Sequence, residues 1–91
     1  MSNIVILRSE EFASIDELHQ LLMERLALPG YYGKNLDALW DCLTGWIKLP
    51  TTILWLGYEN SARKVGPCAE KVAEVFREAE REVEGFTFIR Y

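Results

Sequence analysis

Asp37 and Asp41 stand four residues apart in this 91-residue sequence, a spacing at which two carboxylates could act together in binding or catalysis. On a helix, both carboxylates project from one face, one turn apart. Like charges at this spacing cost a helix roughly 0.2–0.5 kcal/mol, so a helix that only packs against a core does not need them. Four aromatic residues surround the pair in sequence: Tyr31, Tyr32, Trp40 and Trp46. This composition is typical of a protein-binding surface.

Catalysis is the alternative use of paired carboxylates, as in glycoside hydrolysis. It would require a substrate cleft and one carboxylate held in an apolar pocket. A chain of this length has little room for a cleft, and we expect both carboxylates on an exposed face. His19, the single histidine, is predicted at a helix edge without a triad-like partner nearby in sequence. We therefore predict that the chain is not an enzyme and has no small-molecule substrate.

The composition restricts the class of protein and its partners. A hydrophobic fraction of 49% with 26% charged residues is typical of a soluble globular domain. The net charge of −4 argues against nucleic acid as a partner, because phosphate contacts need Lys and Arg, and it favours a basic protein. No apolar run approaches the roughly 20 residues of a membrane span, and the N-terminus lacks a signal-peptide pattern. The sequence therefore predicts a cytoplasmic protein that does not bind membranes and is monomeric when free.

The two cysteines, Cys42 and Cys68, are predicted to be reduced thiols, as expected in a chain without an export signal. Cys42 is interpreted as a small core residue of a short helix. Neither cysteine has a second Cys or a His at metal-ligand spacing. We therefore predict no metal and no cofactor.

Three β-like runs alternate with helical patterns. Residues 3–7, 51–56 and 86–90 form the runs, and the β-branched first run is typical of a strand covered on both faces. Ser14 and Glu17 predict the start of a first helix, and Asn35 predicts the start of a second. Pro67 predicts the first turn of a last helix. One or two further helical turns are predicted within residues 58–65. Strands separated by helices pair in parallel. The prediction is an α/β fold, a three-stranded parallel sheet packed against about four helices, in one domain over residues 1–91.

Four glutamates recur every four residues along the predicted last helix: Glu70, Glu74, Glu78 and Glu82. For Glu70 and Glu74 we favour a solvated face with Arg77 and neighbouring cations as local compensation. Glu78 and Glu82 remain open, because the fold could bring them beside the second helix.

The tryptophans separate into three predictions. Trp55 lies in a leucine-flanked strand and is predicted in the core, and Trp46 follows a helix-ending glycine and is predicted at the surface. Trp40 could serve either the core or a contact surface.

The segment that carries the aspartates resembles the barstar family of intracellular inhibitors of barnase-type ribonucleases. Residues 26–29, 31–33 and 35–46 match that family nearly residue for residue, and weaker similarity covers residues 16–20 and 75–79. Order and spacing correspond over nearly the whole chain. The resemblance implies a three-stranded parallel sheet with four helices, in agreement with the pattern.

The resemblance also implies an activity, which is to block the active site of a small basic ribonuclease with the second helix and the preceding loop. Asp41 matches the main anchor, which would occupy the phosphate site, and Asp37 would bind arginine on the partner. Tyr31 would pack against the catalytic histidine of the nuclease. The remaining positions that we place at the contact surface are Gly33, Asn35, Leu36, Trp40, Thr44, Gly45, Trp46, Glu78 and Glu82.

Three positions depart from the best-known member of that family. Lys34, Lys48 and Gly30 stand where that protein has acidic residues. Bases at a rim weaken steering toward a basic partner more than they alter central contacts. The resemblance therefore implies the binding mode and leaves the identity of the nuclease open.

The leading hypothesis is a stoichiometric protein inhibitor of a ribonuclease. A regulatory module that uses the same surface on a partner that is not a nuclease is the second, and an enzyme is the third.

Overall fold

A computed structural model describes residues 3–91, so the first two residues of the predicted 1–91 domain lie outside the described residues. Three strands and four helices follow one another along the chain, with a short 3-10 turn, Ser9–Glu11, after the first strand. In order they are β1 (Asn3–Arg8), α1 (Ile15–Arg25), α2 (Leu36–Gly45), β2 (Thr51–Leu56), α3 (Tyr58–Val65), α4 (Pro67–Glu82) and β3 (Phe86–Arg90). The predicted fold class is confirmed.

The sheet has β2 at its centre, with β1 and β3 paired to it in parallel. Val5, Ile53 and Phe88 are in register and buried on one face. Ile4 points to the other face and is 66% exposed, because side chains alternate along a strand. The prediction that the first strand is covered on both faces was therefore wrong.

The core centres on Trp55, whose ring is fully buried as predicted. It makes edge-to-face contacts with Phe12, Tyr58 and Phe76, with ring centroids 5.1–6.3 Å apart. Its indole N–H donates to the buried Oγ of Ser61 at 3.0 Å, so the polar atom of this large side chain is satisfied.

The helix starts follow the sequence signals. Ser14 Oγ accepts a hydrogen bond from the Glu17 N–H at 3.1 Å, while the Glu17 carboxylate accepts from the N–H of Ala13 and not from that of Ser14. Pro67 is the first residue of α4, where its missing N–H removes no helical hydrogen bond. α4 packs against both α2 and α3, which leaves one side of α2 free for the loop before it.

Candidate protein-binding site

The helix α2 divides its residues into an inner and an outer face. Leu39 and Leu43 are buried in the core. With 3.6 residues per turn, Asp37, Asp41 and Thr44 fall on the opposite side, and all three are exposed. The fold therefore presents both carboxylates on one outward face, as the spacing predicts. Asp37 lies in the first turn, where the helix dipole favours a negative charge.

Asn35 fixes the start of this helix. Its side-chain oxygen accepts a hydrogen bond from the Ala38 N–H at 2.8 Å, which confirms the predicted cap. Its amide nitrogen donates to the Gly33 carbonyl at 3.3 Å. A Cβ at Gly33 would lie 3.2 Å from that nitrogen, so a glycine leaves room for the capping geometry.

The loop of residues 26–35, between α1 and α2, is held by hydrogen bonds at several points. The Leu28 N–H donates to the Met23 carbonyl and the Tyr32 N–H to the Pro29 carbonyl, each at 2.9 Å. From the far end of α2, the Trp46 indole N–H donates to the Ala27 carbonyl at 3.0 Å. The loop is therefore fixed to the last turn of α1 and to the residue that follows α2.

Tyr32 anchors the middle of the loop from beneath. Its side chain is only 7% exposed, and its hydroxyl lies 2.7 Å from Nδ1 of His19, which is 3% exposed. Burial lowers the pKa of His19 and raises that of Tyr32, so both groups stay neutral. Tyr32, predicted in the surface patch, is thus buried and lines the groove between the loop and α2 only with its small exposed part. The prediction that His19 lies at a helix edge was wrong, since it is a core residue.

A groove of about 340 Å³ runs between the loop and α2. Tyr31 is 75% exposed and Trp46 50% exposed, and their rings meet edge to face with centroids 6.4 Å apart. Asp41 lines the same groove. The structure thus brings these five predicted residues together around one depression: Tyr31, Gly33, Asp41, Gly45 and Trp46.

The carboxylates of this surface are not neutralised by any of the described residues, 3–91. Over residues 3–91, the ion pairs join Glu11 to Arg25 and Glu70 to Arg77 and Arg90. Asp37 and Asp41 take part in none of them. Both exposed carboxylates are therefore free to meet cations of another protein, and that of Asp41 lies in the same groove as the two exposed aromatic rings.

Cys42 lies under the groove as a buried, unpaired thiol, in agreement with its predicted place in the core. Burial, and to a lesser extent the charge of Asp41, raise the pKa of the thiol, which keeps it protonated and weakly nucleophilic. Over residues 3–91 the structure shows no cluster of His, Cys, Asp and Glu suited to a metal ion. In the same part of the chain, the helices are too short or too polar to cross a membrane.

Several of the predicted contact residues do not line the groove, among them Leu36 and Trp40 on α2 and Glu78 and Glu82 on α4. Leu36 and Trp40 are half-buried and pack against the core, so Trp40 serves the core at least in part. Glu78 and Glu82 are exposed on α4, the helix that packs against α2. The Thr44 hydroxyl donates to the Trp40 carbonyl at 2.8 Å. The first glutamate of the row, Glu70, pairs with Arg77 and accepts from the Tyr58 hydroxyl, as a structural role requires.

Sequence reasoning missed the supporting residues of the groove, namely Pro29, Ala38 and Cys42 in its lining and His19 behind Tyr32. Ala38 and Cys42 stand one position C-terminal to Asp37 and Asp41, which on a helix turns them toward the loop. That offset was readable from the sequence. The partnership of His19 and Tyr32 had no such signal, because neither residue type requires the other.

The comparisons with known proteins agree with this geometry. The profile of the family described as "Barstar (barnase inhibitor)" matches residues 2–89. A protein of Bacillus subtilis (strain 168), named "Putative ribonuclease inhibitor YrdF", is 46% identical over 79 residues, which cover 87% of this chain and 87% of that protein. The chain therefore belongs to the barstar family, whose members are inhibitors and not enzymes.

Proposed function

We propose that this chain is a stoichiometric inhibitor of a small, basic, barnase-type ribonuclease, and that α2 and the loop before it block the active site. The single observation that carries the proposal is the position of Asp41. Its carboxylate is exposed, forms no ion pair with any of residues 3–91, and lines a groove flanked by Tyr31 and Trp46. Family membership confirms that the chain is not an enzyme, and the relative's name supports ribonuclease inhibition.

A carboxylate suits this target because a ribonuclease site holds the phosphates of its substrate and is therefore cationic. Asp41 would take the place of a phosphate, and Asp37, one helical turn away, would bind a second cation by charge-assisted hydrogen bonds. The net charge of −4 would speed encounter with a basic protein.

The rigidity of the loop supports the same proposal. Ordering a flexible loop on binding costs affinity. Here the Tyr32–His19 contact, the Trp46–Ala27 hydrogen bond and the Asn35 cap already hold the loop and helix in the free chain. Tyr31 and Trp46 can then act as rigid aromatic anchors, the residue types that dominate binding energy in interfaces.

The proposed contact surface extends beyond the groove. Asp37 and Thr44 would contribute from the outer face of α2, with Gly33 and Asn35 before it and Gly45 at its end. Leu36 and Trp40 would contribute through their exposed parts, and Glu78 and Glu82 from α4. We further propose that the free chain is a monomer that acts in the cytoplasm, where it protects the cell from a ribonuclease.

The experiment is an inhibition titration against a panel of purified barnase-type ribonucleases, barnase included, with cleavage of a fluorogenic RNA as the readout. The expected result is complete inhibition of at least one nuclease at a 1:1 ratio. Asp41→Ala should weaken binding by roughly 2–5 kcal/mol, the range for truncation of one partner of a buried charge pair, of which the barnase–barstar complex is itself a measured case.

The matched pair Asp41→Asn and Glu59→Gln removes one charge each, the second from an exposed carboxylate of α3. Only Asp41→Asn should weaken inhibition. Equal potency of both variants would contradict the role of Asp41. Failure of the wild-type chain to inhibit any nuclease, combined with capture of a partner that is not a nuclease, would favour the regulatory module.

A further inference from the structure

We propose that Lys34 and Lys48 are specificity-determining residues, which select a ribonuclease whose cationic site is flanked by carboxylates. The inference rests on the proposed function and deepens it by stating the chemistry of the partner's rim. Lys34 stands two residues before α2 and Lys48 three residues after it. Along the helix, the charges therefore follow the order cation, carboxylate, carboxylate, cation.

The fold itself gives no reason for a lysine at position 34. Its φ angle is +53°, in the left-handed region that favours glycine or asparagine. Lys34 also stands just before the N-cap of α2, at the end of the helix where the dipole disfavours cations. Burial is the main cause of the lowered pKa of His19, and the charge of Lys34 adds a smaller effect in the same direction. Both the backbone conformation and the electrostatic field at this position are thus unfavourable for a lysine. A contact with another molecule explains its presence best.

Lys48 lines a second groove, of about 580 Å³, between β1 and the segment that follows α2. Trp46 lines both grooves, so the two grooves adjoin at this side chain. A protein bound over the first groove would therefore also lie close to the second. Among residues 3–91, the other cation that lines the second groove is Arg25, which donates to the Ile6 carbonyl at 2.7 Å and pairs with Glu11. Lys48 takes part in none of the ion pairs over residues 3–91, and its ammonium is free to meet a carboxylate.

The charges of Lys34 and Lys48 determine which charges a complementary partner must carry. Desolvating a lysine against a basic rim is unfavourable, whereas a carboxylate opposite each lysine adds attraction and fixes the orientation of the partner. A ribonuclease with acidic residues at both ends of its cleft would fit the order of charges, and a uniformly basic ribonuclease would be rejected at both ends.

The test uses the panel member that the wild-type chain inhibits best, so the proposed function has already passed its own test with that nuclease. Lys34→Glu and Lys48→Glu are compared with the matched control Arg63→Glu, an equal charge change at an exposed position of α3. Each site variant should raise Kd about tenfold or more, mainly through a slower association at low salt, and Arg63→Glu should leave it within about twofold. Lys48→Met should have a smaller effect than Lys48→Glu.

A direct readout is zero-length carbodiimide cross-linking of the wild-type complex, followed by mass spectrometry. We expect an amide between Lys48 and an Asp or Glu of the nuclease. The inference is overturned if the Lys→Glu variants bind this nuclease as tightly as the wild-type chain or more tightly. In that case, the proposed function would still hold if the Asp41→Ala variant bound the same nuclease more weakly than the wild-type chain.

Discussion

The phenolic oxygen of Tyr32 lies 2.7 Å from Nδ1 of His19, and this contact joins the loop of the candidate site to α1. Both side chains are buried, and their rings are tilted by 55° with centroids 5.7 Å apart. Asp16 raises the pKa of His19 and Lys34 lowers it, but burial is the largest influence and the net direction is downward. The neutral imidazole is therefore part of the folded structure.

The first prediction concerns the pH dependence of stability. Because the folded-state pKa of His19 lies below the ordinary value of 6.5, the unfolded chain binds more protons between these two values. The free energy of unfolding is then greatest above pH 6.5 and falls as the pH drops toward the folded-state pKa, by at most about 1.4 kcal/mol per pH unit. Urea denaturation at closely spaced pH values measures this slope.

The control for that measurement is His19→Gln, which cannot titrate and should lack the slope just below pH 6.5. Glu11 and Glu70, whose pKa values lie below 4.5 in the folded state, lose their stabilising charges only at lower pH. An unchanged slope in His19→Gln would show that another group titrates in this window.

The second prediction separates the two adjacent tyrosines of the loop. Tyr32→Phe removes the partner of a buried imidazole nitrogen and should reduce the free energy of unfolding by about 1–3 kcal/mol. Tyr31→Phe is the matched control, since Tyr31 is exposed and its hydroxyl makes no hydrogen bond within residues 3–91; it should change stability by less than about 0.5 kcal/mol. Equal losses in the two variants would contradict the anchoring role of Tyr32.

These two tyrosines also show where sequence reasoning stops. Asn35, Ser14 and Pro67 were predicted correctly because a cap or a first-turn proline acts within four residues of its partner. The partner of Tyr32 lies 13 residues away, and nothing in the types of two neighbouring tyrosines states which one turns inward.

The burial of β1 likewise could not be predicted from its sequence alone. Its β-branched run resembles a strand buried on both faces, yet Ile4 is largely exposed. Which face of a sheet receives helices depends on how all the helices pack against it, and that is a property of the whole chain. Among the candidate site residues, the outward face of α2 followed from helical spacing, whereas the groove required the path of the loop.

The third prediction tests the cap of α2, the helix that carries Asp37 and Asp41. Asn35→Ala leaves the Ala38 N–H without its acceptor and should lower the free energy of unfolding by about 1 kcal/mol. Asn35→Asp keeps the oxygen acceptor and should change it much less. Thermal or urea unfolding of the three proteins gives the comparison, and a loss as large in Asn35→Asp as in Asn35→Ala would show that the amide donor to Gly33 matters more than the cap.

On each edge strand of the sheet, a side chain from a helix forms a hydrogen bond with a backbone group. At the β1 edge the Arg25 guanidinium donates to the Ile6 carbonyl, and at the β3 edge the Glu80 carboxylate accepts from the Phe88 N–H at 2.8 Å. Unpaired backbone groups on an edge strand are a template for pairing with another chain. Arg25 and Glu80 thus leave fewer free groups for such pairing.

The fourth prediction follows from the β3 edge. Glu80→Ala frees the Phe88 N–H in a partly buried position, which should lower the free energy of unfolding by about 1–2 kcal/mol and increase self-association on warming, since Ile89 and Tyr91 nearby are exposed. Glu74→Ala is the control, because Glu74 is an exposed carboxylate of the same helix that makes no side-chain hydrogen bond within residues 3–91. Denaturation combined with light scattering measures both effects. If Glu80→Ala lost stability but stayed monodisperse, Glu80 would stabilise the fold without protecting its edge, because the same hydrogen bond can hold α4 to β3 whether or not a second chain competes for it.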